Sequence, residues 1–444
     1  MQKRPNVIWI VTDQLRAQAL GINGDINVRT PNIDFLARTG LNFTNAVSGY
    51  PLCCPFRGSM LTSQYPHKCN PGHDTLMPPS HKTIAHVFRE GGYHTCYLGK
   101  WHLDGGPVDK ERAGTHYVRP QHRGGFDTWL GYENNNAQLD CWLHGHKDSE
   151  EVKMFRLNGH ETDSLTELLL QYLDERKTKE QPFFAVLSVQ PPHNPYIASP
   201  EFMNHEPGNI RFRENVPNIA CVREQAAYEL AGYYSMIEQI DANVGRIMDR
   251  LREHGMYEDT HIMFFSDHGD MHGSHGQFRK TTVYEEAVKI PFIISGEKTG
   301  AHEAGRRIGN IDEVFMNHVD IAPTTLGLCG MKPPSWMKGY DYSHLRYAGK
   351  ESNIQFPDSV YLQSVVATGH FDSINKPWRG LITKDGYKYA CFEEMDWVLY
   401  DLNRDPYEQM NLAHDNRYHD LRMRLRKELK MWVDRTGDCF AVPI

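Results

Sequence analysis

The sequence predicts an α/β protein with a mostly parallel central sheet, helices on both of its faces, and a smaller C-terminal α+β part. Three observations carry this expectation. Short apolar runs at 7–11, 94–98, 183–189, 261–265 and 290–295 alternate with helical patterns, the grammar of a parallel sheet built from strand–helix units. The first four of these runs end in compact polar clusters, where ligand sites lie in such sheets. Beyond Pro334 the pattern changes to short strands followed by one helix.

The elements follow in order. Asn6 to Val11 reads as a buried strand that ends at Thr12-Asp13-Gln14. A helix then opens at Thr30-Pro31, with Thr30 as N-cap, Ile33, Leu36 and Ala37 as its apolar face and Gly40 after its end. Cys53 precedes a short helical run. Ile84, Val87 and Phe88 mark a helix that stops at Gly91-Gly92, and His94 to Leu98 is a strand that delivers Gly99-Lys100-Trp101-His102. A strand from Phe183 to Val189 delivers Pro191-Pro192-His193. A long helix from about 221 to 254 leads into His261–Phe265, which delivers Ser266-Asp267-His268-Gly269-Asp270. Between Leu103 and His160 the chain reads as a long, polar, irregular insertion. Near the C-terminus, strands are expected at 380–383 and 387–390 and a helix at about 421–433. With 444 residues, the expected division is a catalytic domain over 1–344 and a C-terminal subdomain over 345–444.

Composition narrows the class. The chain is 40% hydrophobic and 23% charged, a globular balance, and no apolar stretch is long enough to span a bilayer. Its net charge of −8 comes from 48 basic against 56 acidic residues, with no basic run that would track a nucleic-acid backbone. Neither a nucleic acid nor a membrane is therefore expected as partner. Nine cysteines at irregular spacing read for the most part as buried reduced thiols in a chain too large to need disulfide stapling. The start of the chain lacks a leader pattern, which points to the cytoplasm, or to a periplasmic, secreted or lysosomal site if a leader has been trimmed.

The chemistry concentrates in a few motifs. Asp13-Gln14 and Asp267-His268 are two oxygen- and nitrogen-bearing pairs at two strand ends, a layout suited to one divalent cation. Either pair alone would read as a strand cap or a turn. Cys53-Cys54-Pro55-Phe56-Arg57 places proline two residues and arginine four residues after a cysteine. The stretch from Ser266 to Asp270 continues through Gly273-Ser274-His275-Gly276 to Phe278-Arg279-Lys280 and Tyr284-Glu285-Glu286-Ala287. With Gly99-Lys100-Trp101-His102, Pro192-His193-Asn194-Pro195 and Leu399-Tyr400-Asp401-Leu402, these motifs resemble the type I, formylglycine-dependent sulfatases of the alkaline-phosphatase-like superfamily. The resemblance spans roughly residues 5 to 415. Three positions depart from the common pattern: Gln14 for a second aspartate, His268 for asparagine, and Phe56 for a small residue.

The resemblance implies a sulfuric ester hydrolase with an alkaline-phosphatase-like fold. Cys53 would be oxidised to formylglycine, whose hydrate is the nucleophile and a metal ligand. Asp13, Gln14, Asp267 and His268 would complete the metal site, with Ca²⁺ as the usual ion and Mg²⁺ or another divalent ion also suited to the donors. Asp267 would double as base, Arg57 and Lys100 would hold the diol, Lys280 and His193 would meet the sulfate, His193 would protonate the leaving group, and His102 would take the proton that releases sulfate. A formylglycine-generating maturation enzyme is the implied protein partner.

The expected substrate is a sulfated saccharide, with Asn194, Trp129, Trp142, His275, Arg279, His370 and Trp378 as candidate contacts. Any single aromatic among these also fits a core position. The rival readings are a phosphonate or phosphate monoester hydrolase of the same superfamily, and a non-catalytic carbohydrate-binding protein whose Cys53 stays a thiol.

Overall fold

The computed structural model describes residues 4–106, 114–296, 305–347, 355–369 and 374–443; His370 lies outside them. In chain order the strands of the first part are β1 (Asn6–Thr12), β2 (Leu41–Phe43), β3 (Ala46–Val47), β4 (His94–Lys100), β5 (Thr128–Tyr132), β6 (Trp142–Lys147) and β7 (Glu150–Arg156). They are followed by β8 (Phe183–Ser188), β9 (Thr260–Ser266), β10 (Phe292–Gly296), β11 (Gly309–Ile311) and β12 (Met316–Asn317). The C-terminal strands are β13 (Ser359–Ser364), β14 (Trp378–Thr383), β15 (Tyr387–Phe392) and β16 (Met395–Asp401). The helices are α1 (Pro31–Thr39), α2 (Cys53–Thr62), α3 (Pro66–Cys69), α4 (Ile84–Glu90), α5 (Glu161–Arg176), α6 (Ala220–Glu253), α7 (Glu285–Val288), α8 (Ile321–Leu328) and α9 (His419–Thr436).

A ten-stranded sheet in the order β11-β2-β10-β9-β1-β8-β4-β5-β6-β7 forms the frame. Its centre, β9-β1-β8-β4-β5, is parallel, while β10, β6 and β7 each run antiparallel to the preceding neighbour. The central strands are apolar on both faces because both are covered. Ile8 and Ile10 of β1 point to α1, α5 and α6, whereas Val7, Trp9 and Val11 point to α2, α4 and α8. At about 25 cal/mol per Å² these two buried layers supply the main drive to fold.

Two expectations are corrected. The segment 103–160 is not an irregular insertion, since it contributes β5, β6 and β7 to the sheet. Its strand pattern is hard to read because β7 has an exposed, charged face and β6 carries histidines and a glycine. Thr30 precedes α1 without a side-chain capping bond; its Oγ1 instead bonds Asp34 at 2.8 Å and accepts from the Gly21 amide, a competing local network.

The C-terminal strands form a separate antiparallel sheet, β13-β14-β15-β16. Their period-two pattern divides the side chains. Tyr361, Leu381, Tyr389 and Leu399 face α9, while Val360, Leu362, Trp378, Ile382, Ala390, Val398 and Tyr400 pack on Val47, Met271, Val283, Tyr284 and Phe315. No helix among the described residues is long and apolar enough to cross a membrane. No disulfide joins any of the nine cysteines, and only Cys221 and Cys439 are exposed.

Candidate active site

The polar residues that follow β1, β4, β8 and β9 gather at the carboxyl edge of the parallel strands, and the N-terminus of α2 is aimed at them. Cys53 is the first residue of α2, and its N-cap Leu52 makes no side-chain bond there. The amino end of that helix favours negative charge at position 53. The Cys53 Sγ lies 3.1 Å from Lys280 Nζ, 3.1 Å from His268 Nε2 and 3.5 Å from Asp13 Oδ1. Burial and the Asp13 carboxylate push its thiol up, but Lys280, Lys100 and His268 outweigh them and leave it well below its usual range. The neighbouring Cys54 lacks such partners and burial drives it the other way.

Arg57, one turn along α2, reaches under Cys53. Its guanidinium lies 3.1 Å from both Asp13 Oδ2 and Asp267 Oδ2, and it donates to Ser188 Oγ at 2.7 Å and to the Lys100 carbonyl. Lys100 Nζ donates to Asp13 Oδ2 at 2.7 Å. Burial would raise the Asp13 carboxyl, yet Lys100, His193, Lys280 and Arg57 together hold it well below the usual carboxylate range. Asp267, by contrast, is pushed up to about 6 by burial and by the charge of Asp13. Two carboxylates at one buried site divide their titration in this way.

The donor set fits a divalent cation. Asp13, Cys53, Asp267 and His268 offer ligand atoms that all lie within 4.8 Å of one another. His268 donates from Nδ1 to the Gly269 carbonyl at 2.9 Å, so in the neutral ring Nε2 carries the lone pair. That nitrogen lies 3.5 Å from Asp13 Oδ1 and 3.6 Å from Asp267 Oδ1. With that ring neutral, three acceptors converge at the spacing of ligands roughly 2.4 Å from one ion, while Asp267 outweighs burial and raises the His268 pKa. Gln14 is fixed beside them: its amide donates to Asp270 Oδ2 at 2.6 Å and its Oε1 accepts from Lys280 Nζ at 3.0 Å.

His193 and His102 complete the group. His193 is half-buried and its Nδ1 donates to the Asn194 carbonyl at 2.7 Å. Burial first, then Lys280, keeps its pKa well below the ordinary histidine value. His102 is buried and bonds Asp74 through Nε2 at 2.7 Å; that bond and Cys53 outweigh burial and raise its pKa. Several non-glycine residues here hold left-handed backbone: Gln14 (φ 72°), Asp74 (φ 49°), His102 (φ 56°), Arg279 (φ 68°) and Thr281 (φ 72°). Each such residue costs on the order of 1–3 kcal/mol, and this strain collects at functional sites.

The structure therefore brings together Asp13, Gln14, Cys53, Arg57, Lys100, His102, His193, Asp267, His268 and Lys280, and places Asn194 beside His193. Five expected saccharide contacts are taken up by packing or by partners within the protein. Trp129 is fully buried in β5 against Trp101, 5.9 Å between ring centroids. Trp142 sits on β6 towards the far flank of the sheet, bonded to Asp140. Trp378 is buried and donates to the Thr281 carbonyl at 2.9 Å. His275 stacks on Tyr284 at 4.0 Å, and Arg279 is held by Glu229 at 2.6 Å. Large rings and paired charges are taken up by packing wherever cover is available, which motif position does not reveal. Asp74 and His73 were missed because neither belongs to a motif; their only signal is adjacency, His73-Asp74, downstream of the cysteine helix.

A parallel α/β sheet with a helix-borne cysteine, clustered cations and a carboxylate–imidazole cluster that could hold an ion suits an anion-handling ester hydrolase. The comparisons narrow the class. The sulfatase family model matches residues 5–331, and the C-terminal model of N-sulphoglucosamine sulphohydrolase matches residues 273–434. An ulvan-active sulfatase of Formosa agariphila is 31% identical over 98% of this chain and 82% of that protein. An endo-4-O-sulfatase of Bacteroides thetaiotaomicron is 27% identical over 93% of this chain and 89% of its own length. A Bacteroides fragilis crystal structure assigned as the sulfatase YidJ superposes with a TM-score of 0.87 at 27% identity, covering 100% of this chain and 99% of that one. The chain belongs to the sulfatase family, the sulfuric ester hydrolases of the alkaline-phosphatase-like superfamily.

Proposed function

We propose that this sulfatase removes sulfate from a carbohydrate, with formylglycine made from Cys53 as nucleophile and a divalent ion, Ca²⁺ foremost, held by Asp13, Gln14, Asp267, His268 and the modified residue 53. The observation that carries the reading is Cys53 at the start of α2, in frame with Pro55 and Arg57 and surrounded by Lys280, Lys100, His268 and Asp13. Cys53 is 1% exposed, so the maturation enzyme must reach it before the chain folds.

When bound, the ion supplies positive charge that lowers the pKa of an adjacent hydroxyl. Asp267 takes the proton of the attacking diol hydroxyl. Arg57 and Lys100 hold the diol and its carboxylate neighbours in place, and Lys280 faces the sulfuryl oxygens, where charge must be neutralised. The diol oxygen then bonds to sulfur as the sulfur–alkoxide bond breaks, and the leaving oxygen takes a proton from His193. With Nδ1 committed to Asn194, His193 donates from Nε2 only as the imidazolium, which the cations oppose. The negative charge of the sulfate ester counters them, so the acid becomes competent when substrate is bound. In the second stage the remaining hydroxyl gives its proton to His102, the aldehyde re-forms and sulfate departs. A serine could not do this, since it has no second oxygen on the same carbon.

The saccharide reading is supported by relatives named for ulvan and for N-acetylglucosamine-6-O-sulfate ester cleavage. The test is the mass of the Cys53 peptide from the native host, followed by turnover of an aryl sulfate and of defined sulfated mono- and disaccharides. An aldehyde with saccharide desulfation is expected. A plain thiol with no turnover would overturn the reading.

A further inference from the structure

Beside position 53 lies a second polar cluster, His73, Asp74 and His102, whose ligand-type atoms lie within 4.8 Å of one another. The Asp74 carboxylate can only accept, so His102 Nε2, 2.7 Å from Asp74 Oδ1, carries the proton. The neutral ring then keeps its lone pair on Nδ1. That atom is buried, and Cys53 is the further side chain that bonds the His102 ring and helps to raise its pKa. His73 closes the other side of Asp74, its Nε2 3.5 Å from Oδ2 and its ring edge-on to His102 at 5.3 Å. Burial and the neighbouring His102 bring His73 down to about 4, while the His102 bond holds Asp74 at about 2. The trio near neutrality is therefore a neutral imidazole, a carboxylate and an imidazole whose orientation the carboxylate decides.

We propose that Asp74 is the positioning residue for sulfate release: it holds His102 with Nε2 protonated, so that the Nδ1 lone pair faces the residue made from Cys53. The inference rests on the formylglycine reading above. In the release step the free hydroxyl of the sulfated diol loses its proton to His102 Nδ1. Its oxygen forms the second bond to carbon, the carbon–oxygen bond to sulfate breaks, and sulfate leaves with that electron pair. No oxidant or reductant is needed. A carboxylate that selects an imidazole tautomer plays the same part beside the histidine of serine hydrolases. Asp74 also suits its backbone position, because aspartate and asparagine tolerate the left-handed region better than most residues.

The same tolerance makes Asp74→Asn a foldable probe, and the side chain is one-third exposed (34%). Stopped-flow release of phenol from an aryl sulfate is compared for wild type, Asp74→Asn, His102→Ala and the double variant, on protein whose Cys53 peptide shows the aldehyde mass. If Asp74 serves release, kcat falls on the order of 10²-fold and KM falls with it. About one equivalent of phenol appears in a burst, and the intact mass shows the sulfated enzyme. The double variant then matches His102→Ala within about twofold. A slowed reaction with no burst and no sulfated enzyme, or losses that multiply in the double variant, would overturn the inference. Wild type that carries the aldehyde yet turns over no aryl or saccharide sulfate would instead overturn the sulfatase reading on which it rests.

Discussion

At the residue scale, the two oxygens on one carbon are what separate formylglycine from serine. Cys53→Ser is expected to transfer sulfate at most once and remain as a stable sulfate ester visible in the intact mass, whereas Cys53→Ala is expected to transfer none. The ion site makes a second demand. Asp13, Asp267 and, in the neutral ring, the His268 Nε2 lone pair converge, so a cation that binds only the folded chain must stabilise it. Calcium at about 100 times its Kd would add about 2.7 kcal/mol. Chelation is expected to lower both activity and the thermal midpoint, and a midpoint unmoved by chelator would refute the site. The residues of both sites were legible where they fall in motifs. Asp74 was not, because its role depends on a partner, His102, that folding brings to it.

At the scale of the element, close packing couples α2, which begins at Cys53, to the segment that carries His73 and Asp74. A Cβ at Gly58 would meet Asn70 Oδ1 at 2.1 Å, and Asn70 anchors the Thr75 carbonyl at 2.9 Å. Gly58→Ala should therefore shift the segment that carries His73 and Asp74, at a cost of about 1–3 kcal/mol in denaturant unfolding and with reduced turnover. Before α8, Asp320 accepts from the amides of Asn317 and Tyr340 at 2.9 and 2.7 Å, and burial raises its carboxyl from 3.8 to about 7. The folded state thus binds a proton that the unfolded state has released. This contribution is complete below about pH 4 and is lost as pH rises through about 7. Thermal midpoints should fall over that interval, and Asp320→Asn should flatten the slope. Strands with apolar runs on both faces were readable from sequence, but β6 and β7 were not, since β6 carries two histidines and a glycine and β7 is charged and largely exposed.

At the scale of the whole molecule, the C-terminal sheet closes the catalytic part. It shares a core with Val47, Met271, Val283 and Phe315, and Lys388 is buried between Glu285 and Glu408 at 2.7 Å each. Trp378 ties this sheet to the loop that carries Lys280, through its bond to the Thr281 carbonyl. Trp378→Phe keeps most of the packing but leaves that buried carbonyl unpaired, which should cost about 1–3 kcal/mol and lower kcat/KM; an unchanged variant would show that the sheet does not hold the loop. By itself the sequence determined the parallel core and the nucleophile, cation and ion-ligand motifs, because apolar runs and motif spacing are properties of the local chain. Only the tertiary structure decided that Trp129 and Trp378 are core and that Asp74 bonds His102. Burial and hydrogen bonding belong to whichever distant residues provide the cover and the partner.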